Sequence, residues 1–265
     1  MNGNGIKHSI AIASGKGGVG KSTVSVNLAV ALAQAGSATG LLDADLYGPS
    51  IPLMTGVHRM PRTNGGKMVP LEAHGVRLMS LGFLMPEGTP TVWRGPMVAG
   101  AIQQFLRDVE WGALDYLLID LPPGTGDAQL TLAQSLPLAG VVIVMTPQDV
   151  AAQIASKAAA MFRQLKVPIL GILENMSGFL CPHCGTRSAI FKQGGGRRAS
   201  ELLGVPLLGE IPLDPLVCQA SDRGEPIATA HADTPMANAF RGAAKALAAR
   251  IDAEATSGPV IRMGP

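Results

Sequence analysis

The sequence predicts an α/β fold, with a mostly parallel central sheet flanked by helices. Three observations lead there. Short β-branched or Leu-rich runs alternate along the chain with longer Ala-rich segments of helical period. Runs such as Gly140–Met145 are apolar throughout rather than alternating, as strands buried on both faces are. A glycine-rich turn, Gly15-Lys16-Gly17-Gly18-Val19-Gly20-Lys21-Ser22, separates the first apolar run from the first helical segment. No internal repeat or linker interrupts the 265 residues, so one domain over 1–265 is expected.

The elements follow in order. Residues 6–14 read as a strand and 21–35 as a helix closed by Gly36. Strands are predicted at 39–43, 76–81, 115–120, 140–145, 167–174 and 206–211. Helical patterns cover 97–109, 150–165, about 197–203, and 234–253, where Phe240, Leu247 and Ile251 share a face. A Gly/Pro-rich stretch at 47–70 reads as a long connection, and 178–196 as an irregular insertion carrying two cysteines. The segment 256–265 has no helical pattern and reads as a frayed tail.

Composition excludes several classes. With 47% hydrophobic and 15% charged residues the chain is globular, not disordered. A net charge of +2 and scattered Lys and Arg give no footprint for nucleic acid. No apolar run reaches the roughly 18 residues of a membrane-spanning helix, and residues 1–8 lack a signal-peptide apolar region. Three cysteines are too few for a disulfide framework, which places the protein in a reducing aqueous compartment, the cytoplasm.

Residues 15–22 fit G-x-x-x-x-G-K-[ST] between a strand and a helix, the context that confirms a phosphate-binding loop. The glycines turn backbone N–H groups toward phosphate oxygens, and the helix N-terminus adds its dipole. Lys21 is expected to reach the β- and γ-phosphates of ATP, with the Ser22 hydroxyl on Mg²⁺. Asp120 ends the strand 115–120 and is expected to hold Mg²⁺ through water; Asp43 supports the metal shell and Asp45 orients the attacking water. Gly124-Thr125-Gly126-Asp127 reads equally as a γ-phosphate-sensing switch or as a turn with Asp127 capping the next helix. The early lysine, Lys16, resembles that of the deviant Walker A loop in MinD-type and nitrogenase-iron-protein-type ATPases. That likeness implies that Lys16 reaches a partner subunit's nucleotide across a dimer, as an arginine finger does.

Cys181-Pro182-His183-Cys184 is a C-x-x-C pair whose spacing lets two thiolates converge on one metal. Alone it leaves three readings open: zinc with His183 and a further group, an iron–sulfur site, or a redox pair. A four-thiolate site would take two cysteines from each of two chains about a two-fold axis. A lone apolar-flanked Cys218 reads as a small core residue.

The joint pattern is more specific. Gly15 to Thr23, Leu41-Leu42-Asp43-Ala44-Asp45-Leu46-Tyr47-Gly48-Pro49-Ser50, Trp93-Arg94-Gly95-Pro96-Met97 and Asp120-Leu121-Pro122-Pro123-Gly124-Thr125-Gly126-Asp127 resemble the Mrp (ApbC-type) iron–sulfur cluster carrier proteins. Glu174-Asn175-Met176-Ser177-Gly178, the C-x-x-C pair, Gly194-Gly195-Gly196 and Gly209-Glu210-Ile211-Pro212-Leu213-Asp214 extend the likeness over residues 6–248. The resemblance implies a homodimer that binds ATP, hydrolyses it slowly and hands a bridging [4Fe–4S] cluster to apo-proteins. It implies Cys181 and Cys184 as cluster ligands, Thr23 in the nucleotide site, and Asn175 and Pro212 against adenine. Three departures stand out: Cys218 where the family often has Arg, Lys192-Gln193 before the glycine triplet, and a start close to the first strand. Many bacterial members carry a small extra domain there, so a target-recognition surface is expected to be missing. The competing functions are a MinD- or ParA-like positioning ATPase and a zinc-stabilised P-loop ATPase with another client. The Ala-rich, mixed-charge segment 234–253 does not favour the first.

Overall fold

The computed structural model describes residues 5–45, 48–84, 95–181 and 183–256. In chain order they form β1 (Ile6–Ala13), α1 (Lys21–Gln34), β2 (Thr39–Asp43), α2 (Ile51–Thr55), β3 (Thr63–Asn64), β4 (Lys67–Met68), β5 (Leu71–Ala73) and β6 (Val76–Ser80). A 3-10 turn (Leu81–Phe83) follows, then α3 (Gly95–Asp108), β7 (Leu114–Asp120), α4 (Asp127–Ser135), β8 (Gly140–Met145), α5 (Asp149–Gln164) and β9 (Ile169–Leu180). The chain continues through β10 (Arg187–Ser188), α6 (Gly195–Leu203), β11 (Leu207–Leu213), α7 (Pro215–Asp222), α8 (Ile227–Ala230) and α9 (Pro235–Thr256).

Nine strands make one sheet in the order β10-β9-β8-β1-β7-β2-β6-β5, with β11 also paired to β9. All pairings are parallel except the short β5 on β6 and β10 on β9. β1 lies between β7 and β8, its apolar side chains covered on both faces; Ile10, Ile12, Leu118, Val142 and Ile143 are fully buried. The unbroken apolar runs of the sequence thus have the physical origin assigned to them.

Helix α1 is buried almost all round, because α8 and α9 cover the side it turns away from the sheet. It ends where the sequence says it must. Gly36, at φ 91°, donates its N–H to Ala33 O (2.9 Å), and the Ser37 N–H reaches Leu32 O (3.2 Å). These are the two bonds of a Schellman cap, whose left-handed position favours glycine.

The structure departs from expectation in several places, among them α7 and α8, where no element was predicted. The connection at 47–70 contains α2 and the β3–β4 hairpin; such short elements carry no readable period. The strand predicted to end at 174 runs on to Leu180, so the insertion at 178–196 begins inside β9. Cys218 is not a core residue: it is exposed on α7, whose buried side is Ala220 and Ser221. The terminal helix reaches Thr256, and the tail beyond it lies outside the described residues, as do Leu46, Tyr47, Trp93, Arg94 and Pro182.

Candidate functional site

The strand order brings the C-terminal ends of β1, β7 and β2 together, since Ile12 and Asp43 both register with Asp120. Ligands of open parallel sheets gather at such ends. The loop after β1 rises there and enters α1 through Gly20, a left-handed residue at φ 78°. Gly15 allows a close crossing: a Cβ there would lie 2.1 Å from Ile154 Cγ2 and 2.8 Å from the Ile154 carbonyl oxygen. The loop bounds a cleft of about 200 Å³ whose lining includes Lys16, Lys21, Ser22, Asp45, Met54 and Pro123. Thr23 and the glycines Gly17, Gly18 and Gly20 also line it.

Charge at the cleft floor is tightly paired. Lys21, 5% exposed, places Nζ 2.8 Å from Asp120 Oδ2 and 3.8 Å from Asp45 Oδ2, and donates to Ser22 Oγ at 3.2 Å. The Ser22 hydroxyl donates to Asp120 Oδ2 and the Ser25 hydroxyl to Asp120 Oδ1, both at 2.6 Å. A fully buried carboxylate held by an ammonium and two hydroxyls meets the demand that buried charge be paired and hydrogen-bonded. Asp43 sits alongside, taking the Ser80 hydroxyl (3.0 Å) and the N–H groups of Asp45 (3.1 Å) and Ile51 (3.4 Å). Burial, then the charge of Asp120, pushes its carboxyl up to about 8. Its hydrogen bonds tie Asp45, which lines the cleft, and the start of α2 to the end of β2. Ser22 Oγ and Asp120 are hard oxygen donors that fit Mg²⁺, with places left for water and phosphate oxygens.

Asn175 reaches the same loop from β9. Its side-chain amide donates to Val19 O at 2.9 Å, and a Cβ on Gly20 would lie 2.3 Å from Nδ2. Ile211 of β11 registers with Asn175, so the half-buried Pro212 follows on the neighbouring strand. The preceding residue, Glu174, is fully buried on β9 and accepts the Gly196 N–H at the start of α6. Beyond β7, the Gly124 N–H bonds to Ser14 O (3.0 Å), Gly126 caps α4 and Asp127 is its first residue. The Gly124–Gly126 turn thus touches the phosphate loop and also starts a helix.

The cysteines lie at the far end of β9. The Cys181 N–H bonds to Thr186 O (3.0 Å) and the Gly185 N–H to Cys181 O (2.9 Å), closing a turn around the pair. Both thiols are free; Cys181 is half-buried and Cys184 exposed. Cys184 Sγ lies 3.2 Å from Thr186 Oγ1. Hydrogen bonds from the Thr186 side chain, its backbone and the Cys181 thiol hold the Cys184 thiol below its ordinary value. Among the described residues no three His, Cys, Asp or Glu side chains converge as a metal site, so His183 completes none with the pair. The spacing of the motifs named the loop, the acids and the cysteines; it missed Ser25, Ser80 and Thr186. Ser25 was readable in principle, since it follows Lys21 by one helical turn and so faces the same strand end.

The fold and the cleft define a P-loop nucleotide-binding NTPase. Residues 5–248 match the family model described as ParA: NUBPL iron-transfer P-loop NTPase, and the chain belongs to that family. It is 48% identical over 253 residues to an iron-sulfur cluster carrier protein of Aquifex aeolicus, spanning 94% of this chain and 70% of that one. It is 48% identical over 239 residues to the iron-sulfur cluster transfer protein NUBPL of Mus musculus, spanning 89% and 75%. A nucleotide-binding protein from Archaeoglobus fulgidus, solved with ADP and with cobalt found in it, superposes at a TM-score of 0.75 with 43% identity, over 83% and 87% of the two chains. The cell division ATPase MinD of Pyrococcus furiosus shares the fold at a TM-score of 0.70 and 23% identity, over 91% and 98%.

Proposed function

We propose that this chain is an ATP-binding iron–sulfur cluster carrier whose two cysteines share a [4Fe–4S] cluster with those of a second copy. The observation that carries this reading is β9. One continuous strand meets the phosphate loop at Asn175 and ends beside Cys181, so the nucleotide cleft and the thiol pair hang on the same element. The names of the relatives support the cargo. The absence of a third ligand near the pair, among the described residues, supports its completion by another chain.

In this reading Lys21 neutralises the β- and γ-phosphates, and Ser22 with Asp120 would hold Mg²⁺, which would supply further positive charge to the phosphates. Asp45, at the cleft wall, holds the attacking water. The water oxygen adds to the γ-phosphorus as the bond to the bridging oxygen breaks, releasing ADP and inorganic phosphate. Lys16 lines the cleft and stabilises the charge of a partner's nucleotide, while Asn175 and Pro212 border the adenine. The cluster is cargo: recipient thiolates replace the Cys181 and Cys184 sulfurs on iron, with no net electron transfer. Three free thiols suit a reducing compartment, the cytoplasm, and no described helix is long and apolar enough to cross a membrane.

Anaerobic reconstitution of wild type and Cys184→Ser tests the reading. The wild type is expected to gain broad visible absorption that the variant lacks, with ATP affinity equal in the two. Persistent cluster absorption in the variant, or colourless zinc in place of iron in the wild type, would contradict it.

A further inference from the structure

We propose that Thr186 is a positioning residue for the cargo site: the free Cys184 thiol donates to its hydroxyl, and once the sulfur is a metal-bound thiolate that hydroxyl turns to donate to it and holds it in metal-binding geometry. The proposal rests on reading Cys181 and Cys184 as the cargo ligands. The contact is direct, 3.2 Å from Sγ to Oγ1. It is also anchored. The Thr186 carbonyl accepts the Cys181 N–H, and the next residue, Arg187, pairs with Leu180 across the β9–β10 ladder. The Arg187 guanidinium donates to Ser177 O at 2.6 Å, on the same strand as Asn175. Thr186 is therefore locked by its own backbone on both sides, although its side chain is exposed. An exposed hydroxyl competes poorly with water unless it is held in place; the turn does the holding, so little ordering entropy opposes the bond.

The chemistry follows from thiolate ligation. A metal-bound thiolate is electron-rich, and a hydrogen bond to it withdraws charge, which raises the energy of sulfur-to-metal charge transfer and fixes the sulfur's lone-pair direction. Outer partners of this kind typically change metal affinity by roughly 10- to 100-fold. The Thr186 backbone and the Cys181 thiol also hydrogen-bond Cys184, and Thr186→Val leaves both in place, so that variant isolates the hydroxyl.

The test titrates reduced full-length protein with Co²⁺ under anaerobic conditions, comparing wild type, Thr186→Val, Thr186→Ser and Cys184→Ser. Valine keeps the shape and removes the hydroxyl; serine keeps the hydroxyl and removes the methyl. Expected are roughly tenfold weaker Co²⁺ binding and a red-shifted thiolate-to-cobalt band in Thr186→Val, with both restored in Thr186→Ser. A valine variant indistinguishable from wild type, or a serine variant as impaired as valine, overturns the proposal. If Cys184→Ser also binds Co²⁺ like wild type, the cargo-ligand reading itself fails; if only Cys184→Ser is impaired, that reading stands and Thr186 has no part in it.

Discussion

The cleft floor is a small electrostatic knot. Asp120 is buried and answered by Lys21, Ser22 and Ser25, so removing the ammonium leaves a buried carboxylate without its counter-charge and takes away the phosphate contact proposed for Lys21. Lys21→Ala is expected to weaken ATP binding by about 2 kcal/mol or more, roughly 30-fold, measured by calorimetry. Lys16, which lines the cleft without pairing to its acids, should behave differently. Lys16→Ala is expected to bind ATP normally while losing most turnover; unchanged turnover would remove its role toward a partner's nucleotide. These residues were legible because a motif constrains both type and spacing. Ser80 was not, because a serine outside the motif becomes specific only through the side chain it meets, here Asp43, 37 positions away. Cys218 shows the converse: apolar neighbours in sequence suggested burial, but the short helix α7 turns that position outward.

Between elements, the phosphate loop is held from two directions. From β9, Asn175 occupies the space that a Cβ on Gly20 would need. Gly20→Ala therefore carries left-handed strain of about 1–2 kcal/mol and also displaces the Asn175 amide from Val19. Asn175→Ala alone leaves a carbonyl without its donor, at about 1–3 kcal/mol. The double variant is expected to cost less than the sum, because the displaced bond is lost only once; additivity in urea denaturation would refute the contact. From α5, Ile154 closes on Gly15. Gly15→Ala should destabilise by about 1–3 kcal/mol, and trimming Ile154 to Ala should not rescue it, since the Ile154 carbonyl oxygen itself lies 2.8 Å from the new methyl. At this scale the long buried strands and helices were readable from periodicity. The extension of β9 past Glu174 was not, because Asn-Met-Ser-Gly carries no apolar run and includes two left-handed residues, Met176 and Gly178. That unread extension is what joins the cleft to the cysteines.

Over the whole molecule, the parallel sheet sets the loop, the acids and the cysteine-bearing strand along one side, and the two sites answer different needs. In the proposed reading the cleft binds phosphate with Lys21 and Ser22 of its own chain. The thiol pair supplies two ligands where a cluster takes four, so loading should couple to association of two copies. Loaded protein is accordingly expected to sediment as a dimer, and Cys184→Ser to stay unresponsive to iron and sulfide. The most direct measurement is iron, zinc and sulfide content together with native mass, taken without oxygen after reconstitution. The account predicts about four iron atoms per two chains in a dimeric species, from four thiolates per cluster. About four iron atoms on each monomer, or zinc alone, would contradict it.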